Sequence, residues 1–413
     1  MNAFDRLQML TSQMELEPAE ESLGHRSVQA AETRPGCFTP KQKDAVFVHP
    51  AQLPSGKHIQ LLKTLLTSAC EKDCFYCPFR AGRDFRRATF KPEEFAKLFI
   101  QLNHNGIAEG VFLSSGIAGG GLRTQDKLID TADILRNKLK FRGYLHLKIM
   151  PGSEKGQVER VMQLADRVSL NLEAPNTKRL ALLAPQKQFL EELLQPLKWI
   201  EEIRRSQPAY HGWNGRWPST TTQFVVGGSD ESDLELLATT AWLNKNVRLQ
   251  RAYFSAFHPI ADTPFENEPP TNPMREHRLY QASFLLRDYG FDLEELPFIN
   301  DGFLPLRTDP KLSWAQTKLK DHPIEINIAD KRDLLRIPGI GPRSVDAILR
   351  TRQFSKLTEL SSLRKLGILA DKAAPFILLN GKYPPYQSSL FYLISFFHHM
   401  GWIDLRSVPC GEP

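Results

Sequence analysis

Three cysteines stand within eight positions of this 413-residue chain: Cys70, Cys74 and Cys77, in TSACEKDCFYCPFR. Gaps of three and two residues let one loop wrap three thiolates around one face of an iron-sulfur cube, leaving the fourth iron without a protein ligand. Such an iron is a binding site. A structural zinc knot would ask for four ligands in two pairs, and no second Cys or His pair stands at suitable spacing. The two remaining cysteines, Cys37 and Cys410, make the total odd, which is a poor disulfide framework.

The elements that must hold these thiols follow from hydrophobic periodicity. From residue 57 the chain alternates short β-rich runs, at 59–66, 110–115, 144–150, 167–173, 221–226 and 249–257, with amphipathic helical patterns such as KPEEFAKLFIQLNH, TQDKLIDTADILRNKL, KQFLEELLQPLKWIEEIRR and DESDLELLATTAWLN. Six strand-helix units in a row argue for a partial parallel (β/α)6 barrel of the TIM type. The triplet directly follows the first strand, so it sits at the carboxyl end of the barrel, where barrel chemistry is placed. Side chains alternate along a strand, which groups Ser169, Asn171 and Glu173 on one face, His146 with Lys148, Thr221 with Gln223, and Tyr253 with Ser255. A polar face inside a barrel needs a reason, and an inward Glu173 is costly unless it binds something cationic or polar. The bland reading is that single members satisfy buried backbone groups.

Cys70-x3-Cys74-Phe75-Tyr76-Cys77 after strand one of a six-unit barrel resembles the signature of the radical S-adenosylmethionine (SAM) superfamily. The resemblance implies a 4Fe-4S cluster on the three cysteines, SAM on the open iron, an electron donor to reduce the cluster, and Tyr76 against adenine. Where that family often carries Gly-Gly-Glu near the SAM amino group, this chain reads Ser114-Ser115-Gly116-Ile117, which leaves Ser115, Gly116 and backbone carbonyls for the contact. Lys148, Asn171, Glu173 and Gln223 complete a polar ring suited to the ribose and methionyl groups.

Beyond the barrel, residues 289–322 read as a Pro- and Asp-rich linker. The stretch INIADKRDLLRIPGIGPRSVDAILRTR then sets a Pro-Gly-Ile-Gly turn at 338–341 between two helices, the second starting near Pro342. Unpaired amides and the dipole at such a helix start make a phosphate site, with Arg343, Arg350 and Arg352 nearby. From Lys320 to Lys382 there are 12 Lys/Arg against 7 Asp/Glu, nearly all of the chain's net +6. The stretch resembles the helix-hairpin-helix element of DNA-binding proteins, which implies a small all-α DNA-binding domain over 323–382, contacting phosphate through Gly339, Ile340, Gly341 and Arg343. FSKLTELSSLRKLGILADKAAPFI is similar to a second half-motif. A helical pair used only for packing or protein contacts is the alternative. The domain plan is an N-terminal segment or lid over 1–56, the barrel over 57–288, the linker, the hairpin domain, and a C-terminal helix and tail over 383–413.

LLKTLLTSACEKDCFYCP, GVFLSSGI, YLHLKIMPG, VSLNLEAP, TQFVVGGSDESD and REHRLYQASFLLRDYGF, with the hairpin, are together similar to an uncharacterised family of radical SAM proteins assigned to DNA modification or repair. That implies an enzyme that docks on DNA and abstracts hydrogen from a nucleotide. With no second cysteine triplet, sulfur insertion of the methylthiotransferase kind is disfavoured. Cys410 or Cys37 is a candidate hydrogen-atom donor, against the bland reading of inert packing. Two rivals stand: an RNA substrate, which WNGRW at 213–217 could stack, and a non-catalytic nucleic-acid-binding protein with a structural cluster. No apolar run approaches the roughly 18 residues of a membrane span, and the start lacks a signal-peptide pattern, so a cytoplasmic protein is expected.

Overall fold

The computed structural model describes residues 2–14, 48–53 and 56–385. They divide into two compact units, Met1–Ser283 with Phe298–Leu306, and Phe284–Pro297 with Arg307–Pro413. Cys37, Cys410 and nearly all of the expected C-terminal helix and tail lie outside the described residues.

In the first unit seven strands lie side by side in chain order: β1 (Val48–Gln52), β2 (His58–Leu65), β3 (Gly110–Ser114), β4 (Tyr144–Lys148), β5 (Arg167–Ser169), β6 (Ser219–Val226) and β7 (Arg251–Ala256). β2 to β7 are parallel, and repeated crossovers of one hand curl them into part of a barrel. β1 is an addition to the expected six, pairing antiparallel with β2 inside the stretch read as an N-terminal segment. The fourth expected strand, 167–173, keeps regular pairing only to Ser169. Past it the chain follows β6 irregularly, with Leu170 N–H donating to the Thr221 carbonyl (3.2 Å) and Leu172 N–H to Thr222 Oγ1 (3.2 Å).

Among the described residues the helices here are α1 (Ala3–Gln13), α2 (Pro92–His104), α3 (Gly121–Asp133), α4 (Lys155–Leu164), α5 (Thr177–Leu183), α6 (Gln195–Ser206), α7 (Asp233–Val247) and α8 (Pro273–Asp288), whose last residues count with the second unit; α2, α3, α6 and α7 overlap the four stretches read as helical. In α2, Pro92 opens the helix, Glu93 and Glu94 sit in its first turn, and Phe95, Phe99 and Leu102 recur on the buried face. Two expected helices are broken. KQFLEELLQPLKWIEEIRR becomes a π-helical turn, Phe189–Leu194, followed by α6, because Pro196 has no N–H to continue the ladder. After α3 a second π-helical turn, Ile134–Lys138, carries Arg136 into the core. There its guanidinium bonds the carbonyls of Leu164 (3.0 Å), Phe141 (3.0 Å) and Gly143 (2.8 Å) and the Asp166 carboxylate (2.8 Å). Burial pulls its pKa down to about 10 despite Asp166. Trp213 covers this guanidinium at 3.9 Å, so the WNGRW segment begins as core packing rather than a base-stacking platform.

The second unit holds α9 (Pro310–Lys318), β8 (Ile324–Glu325), α10 (Lys331–Arg336), α11 (Pro342–Thr351), α12 (Leu360–Lys365), α13 (Ala370–Ala373) and β9 (Ile377–Leu378). Two helical hairpins, α10–α11 and α12–α13, share a core of Leu334, Ile337, Ile340, Val345, Ile348, Leu363 and Ile368. The expected linker 289–322 is not a spacer. Asp309 caps α9 with Pro310 at its first position, and the Phe291 ring lies against the buried Arg336 guanidinium (3.7 Å) and meets Trp314 edge to face (5.4 Å between ring centres). Two of the counted cations also turn inward. Arg336 bonds Glu295 (2.7 Å) and the Tyr289 and Gly290 carbonyls, while Arg352 bonds the carbonyls of Ala329 (2.6 Å) and Ile326 (3.2 Å), which removes it from the expected phosphate cluster.

Glu235 ties the chain after β5 to α7. Its carboxylate accepts from Arg179 (3.0 and 3.1 Å), Asn176 (3.0 Å) and the Ser232 amide (2.9 Å), and the Arg179 hydrogen bond above all lowers its pKa to about 2. A depressed carboxylate stabilises the fold above its unfolded pKa, and that contribution is lost as pH falls through the folded one. Discounted for partial exposure, Glu235→Gln should cost about 2 kcal/mol at pH 7, with the difference from the parent fading between about pH 4.5 and pH 2. Urea titrations of both proteins across that window check it.

Candidate active site

The ladder between β2 and β3 does not stop where the strands do. Leu66 N–H donates to the Ser114 carbonyl (2.8 Å), Gly116 N–H to Thr67 (2.7 Å) and Glu71 N–H to Ile117 (2.7 Å), so the backbone pairing runs up to the first cysteine. Gly116 is required by this approach: a Cβ there would lie 2.3 Å from the Ala69 carbonyl oxygen. At the far end of the loop, Ser68 N–H bonds Ala88 (3.0 Å), Phe90 N–H bonds Leu66 (2.9 Å), and the Thr67 and Thr89 hydroxyls meet at 2.6 Å.

Between these ties the thiols face a cavity at the carboxyl ends of the strands. Cys70, Cys74, Tyr76 and Cys77 line it together with Ser115, Gly116, Lys148, Asn171, Glu173 and Gln223. Every described residue expected at the cluster or at SAM is therefore in one place. The loop is pinned elsewhere by Phe75 N–H to the Leu183 carbonyl (2.8 Å), the Asp73–Arg80 ion pair (2.6 Å), and Glu71, which accepts the amides of Gly119 and Gly120 (3.1 Å each). An N–H to sulfur contact, Phe79 to Cys77 Sγ at 3.4 Å, orients one thiol.

The polar ring is narrower than strand alternation suggested. Lys148 bonds Asn171 (2.5 Å), and Ser255 also lines the cavity. His146 and Ser169 instead bond each other at 2.9 Å below it, and Thr221 and Tyr253 are buried without lining it, because they lie earlier on their strands than the residues that reach the rim. Glu173 adopts a left-handed backbone (φ 64°), held by its N–H to the Gln223 carbonyl (3.0 Å) and its own carbonyl to Val225 N–H (2.8 Å). Its carboxylate accepts from Lys187 Nζ at 3.0 Å and from the Tyr76 hydroxyl. Burial and the Glu173 charge push the Tyr76 phenol well above its usual pKa, so Tyr76 stays a donor. Lys187 is the residue sequence reasoning missed. It sits in an aperiodic turn after α5, and although burial opposes its charge, the Cys74 and Glu173 charges outweigh that and hold it cationic. Lys72, also at the cavity, bonds the Gln186 carbonyl (3.1 Å) and pairs with Glu192 (3.5 Å).

The residues fit an iron-sulfur cluster with a polar cationic ligand. Burial raises the Cys74 thiol pKa, with Lys187 opposing, which favours the protonated thiol until a metal cation takes the proton's place. The Gln223 carboxamide oxygen is buried at the cavity without a partner among the described residues, an acceptor suited to a hydroxyl or ammonium. Among the described residues no group of three or more His, Cys, Asp or Glu side chains is gathered tightly enough for one metal ion. A cube makes a different demand, one thiolate per iron.

Residues 64–242 match the model of the Radical SAM superfamily. No curated protein matches the chain. Among solved structures it is similar to the FeFe-hydrogenase maturase HydG from Carboxydothermus hydrogenoformans (16% identity, 55% of this chain and 51% of that one, TM-score 0.43). It is also similar to methylornithine synthase PylB (13%, 55% and 61%, 0.44) and to a radical SAM methyltransferase from Sphaerobacter thermophilus (13%, 62% and 74%, 0.42). The chain spans about half the length of HydG. No substrate follows from these likenesses.

Gly116→Val should fold yet retain about tenfold less iron after anaerobic reconstitution, because the loop behind Cys70 must move away. Iron and sulfide assays beside far-ultraviolet circular dichroism check this, and iron content equal to the parent would refute it.

Proposed function

We propose that this chain is a radical SAM enzyme that works with a 4Fe-4S cluster and SAM, and that it acts on DNA, modifying or repairing a nucleotide; the match of residues 64–242 to the Radical SAM superfamily supports the first part. What the cluster and SAM supply when bound is reductive cleavage of SAM to a hydrogen-abstracting 5′-deoxyadenosyl radical, with electrons from a donor protein or small reductant. The chain's own residues bind and orient. Cys70, Cys74 and Cys77 would ligate iron; Tyr76 would meet adenine; Ser115, Gly116, Lys148, Asn171, Glu173 and Gln223 would hold the polar groups of SAM. Lys187 keeps the Glu173 carboxylate in place at 3.0 Å. Three free thiols fit a reducing compartment, the cytoplasm in this reading, and among the described residues no helix is long and apolar enough to cross a membrane.

The observation that carries the substrate class is the start of α11. Gly341 precedes it without a side-chain cap and Pro342 occupies its first position, leaving amides unpaired, while Arg343 and Arg350 are exposed with no ion pair among the described residues. We read α10–α11 as a helix-hairpin-helix element and α12–α13 as its half-motif. The two turns interlock: Leu369 N–H reaches the Gly339 carbonyl (3.4 Å), and Gly339 (φ 80°) has no room for a side chain. Lys311 Nζ bonds the Ile340 carbonyl at 2.6 Å and fixes the turn from behind. Lys372 lies beside Gly339 and is exposed. Such a surface grips phosphate without reading bases. RNA offers the same phosphates, so it is the second reading.

Two measurements decide. Reduced enzyme should turn SAM into 5′-deoxyadenosine faster with duplex DNA than with single-stranded DNA or RNA, and Cys74→Ala should abolish cleavage while leaving DNA affinity unchanged. Stimulation by RNA alone would move the substrate to RNA, and none by any nucleic acid would overturn the proposal. The double variant Arg343→Gln/Arg350→Gln should bind duplex DNA more weakly and lower the slope of log affinity against log salt by about 2. An unchanged slope would remove the hairpin from the interface.

A further inference from the structure

We propose that Arg87, outside the cysteine triplet, is the positioning residue that closes the thiol loop, because its one guanidinium joins the backbone just before Cys70 to the backbone just after Cys77. Nη1 donates to the Ser68 carbonyl at 2.8 Å and to the Phe79 carbonyl at 3.0 Å; Nη2 donates to Arg80 at 2.7 Å and Arg83 at 3.1 Å. Ser68 stands two residues before the first thiol and Phe79 two after the last, so a single nitrogen holds both ends of the ligand segment together.

The choice of arginine follows from geometry. Four carbonyls within 3.1 Å of the two terminal nitrogens match a rigid fork of donors, whereas a lysine ammonium offers three donors from a point and cannot serve all four. The guanidinium also lies on the Phe85 ring at 4.2 Å, and Phe85 packs against Phe79 (6.2 Å between ring centres), whose buried side chain lines the cavity. The segment from 68 to 87 has little regular pairing of its own, and an irregular loop adopts one shape only where its backbone groups are satisfied from outside the ladder. Arg87 does this for both arms of the loop at once, so the three thiols are presented together before iron arrives. A preformed ligand set binds without the ordering cost a free loop would carry. Nothing in the triplet itself supplies that closure.

The full-length chain, reconstituted anaerobically, tests the assignment. Arg87→Gln and Arg87→Lys should both fold, by circular dichroism and thermal melting. Each should lose iron to a chelator about tenfold faster than the parent, the scale of one or more lost backbone hydrogen bonds and of outer contacts at metal sites. The electron paramagnetic resonance spectrum of the reduced cluster, and its change on adding SAM, should differ from the parent in both. In Arg87→Ala, added methylguanidine should restore iron retention by refilling the fork. Parent-like iron retention and spectra in Arg87→Gln, full replacement by lysine, or no response of Arg87→Ala to methylguanidine would each overturn the proposal. The chemical rescue also decides the matter if the other variants fold poorly.

Discussion

The continuation of the β2–β3 ladder beyond both strands is the constraint on which the rest of this site depends. A cluster-binding loop must be irregular, because three thiols at gaps of three and two residues cannot converge from an extended strand. Yet it must be fixed, because a cube accepts ligands only in particular directions. The structure meets both demands by letting the sheet's hydrogen bonds follow the chain: Leu66 to Ser114, Gly116 to Thr67 and Glu71 to Ile117 carry the register of the barrel to within one residue of Cys70. The approach is close enough that residue 116 has no room for a side chain, and Gly116 is therefore set by the backbone before it is considered for any cofactor. The second arm of the loop has no such strand to follow, and there side chains take over, Arg87 and the Thr67–Thr89 hydroxyl pair among them.

The charges facing that loop are not arranged for stability. A buried ion pair such as Lys187–Glu173 gives back in desolvation much of what it gains in attraction, and removing both partners usually harms a fold little. Glu173 adds a left-handed backbone, a conformation that costs a residue with a side chain about 1 kcal/mol or more. Two unfavourable features on one residue, both at the cavity, have a common outcome: the carboxylate is turned off the strand's regular course and held against Tyr76 and Lys187. The early end of β5 at Ser169 belongs to the same distortion, since a regular strand through residue 173 would leave Glu173 in an ordinary extended conformation.

What the sequence makes legible here is what short-range pattern encodes. The six parallel strands, the triplet after the first of them, and the membership of Asn171, Glu173 and Gln223 in one polar face all follow from period two and from loop position. The features it hides act across the chain. Lys187 meets Glu173 from a turn 14 positions away, and nothing in its own neighbourhood distinguishes it from a solvated lysine. β1 carries too weak an alternation to be separated from the polar segment before it, and exists because β2 offers it an edge. Alternation also overreached: it selects His146 and Thr221 by face, but depth along the strand, which has no local signal, places them below the cavity.

Charge in the second unit shows the same limit with a sharper consequence. Counting Lys and Arg treats every cation as surface, whereas Arg336 and Arg352 satisfy buried carbonyls and Glu295. Burial lowers the Lys311 pKa to about 7 while it donates to the Ile340 carbonyl, so at neutral pH even its charge is only partly present. Lys331, Arg332 and Arg364 face Asp346, Asp292 and Asp371. The cations left to meet a polyanion are fewer than the twelve counted, and Arg343 and Arg350 on α11, with Lys372 beside Gly339, are the ones the hairpin presents. For the proposed nucleic-acid contact, a smaller and more local basic surface would favour gripping a few adjacent phosphates over wrapping a long stretch, with the geometry of the Gly339 turn mattering more than net charge.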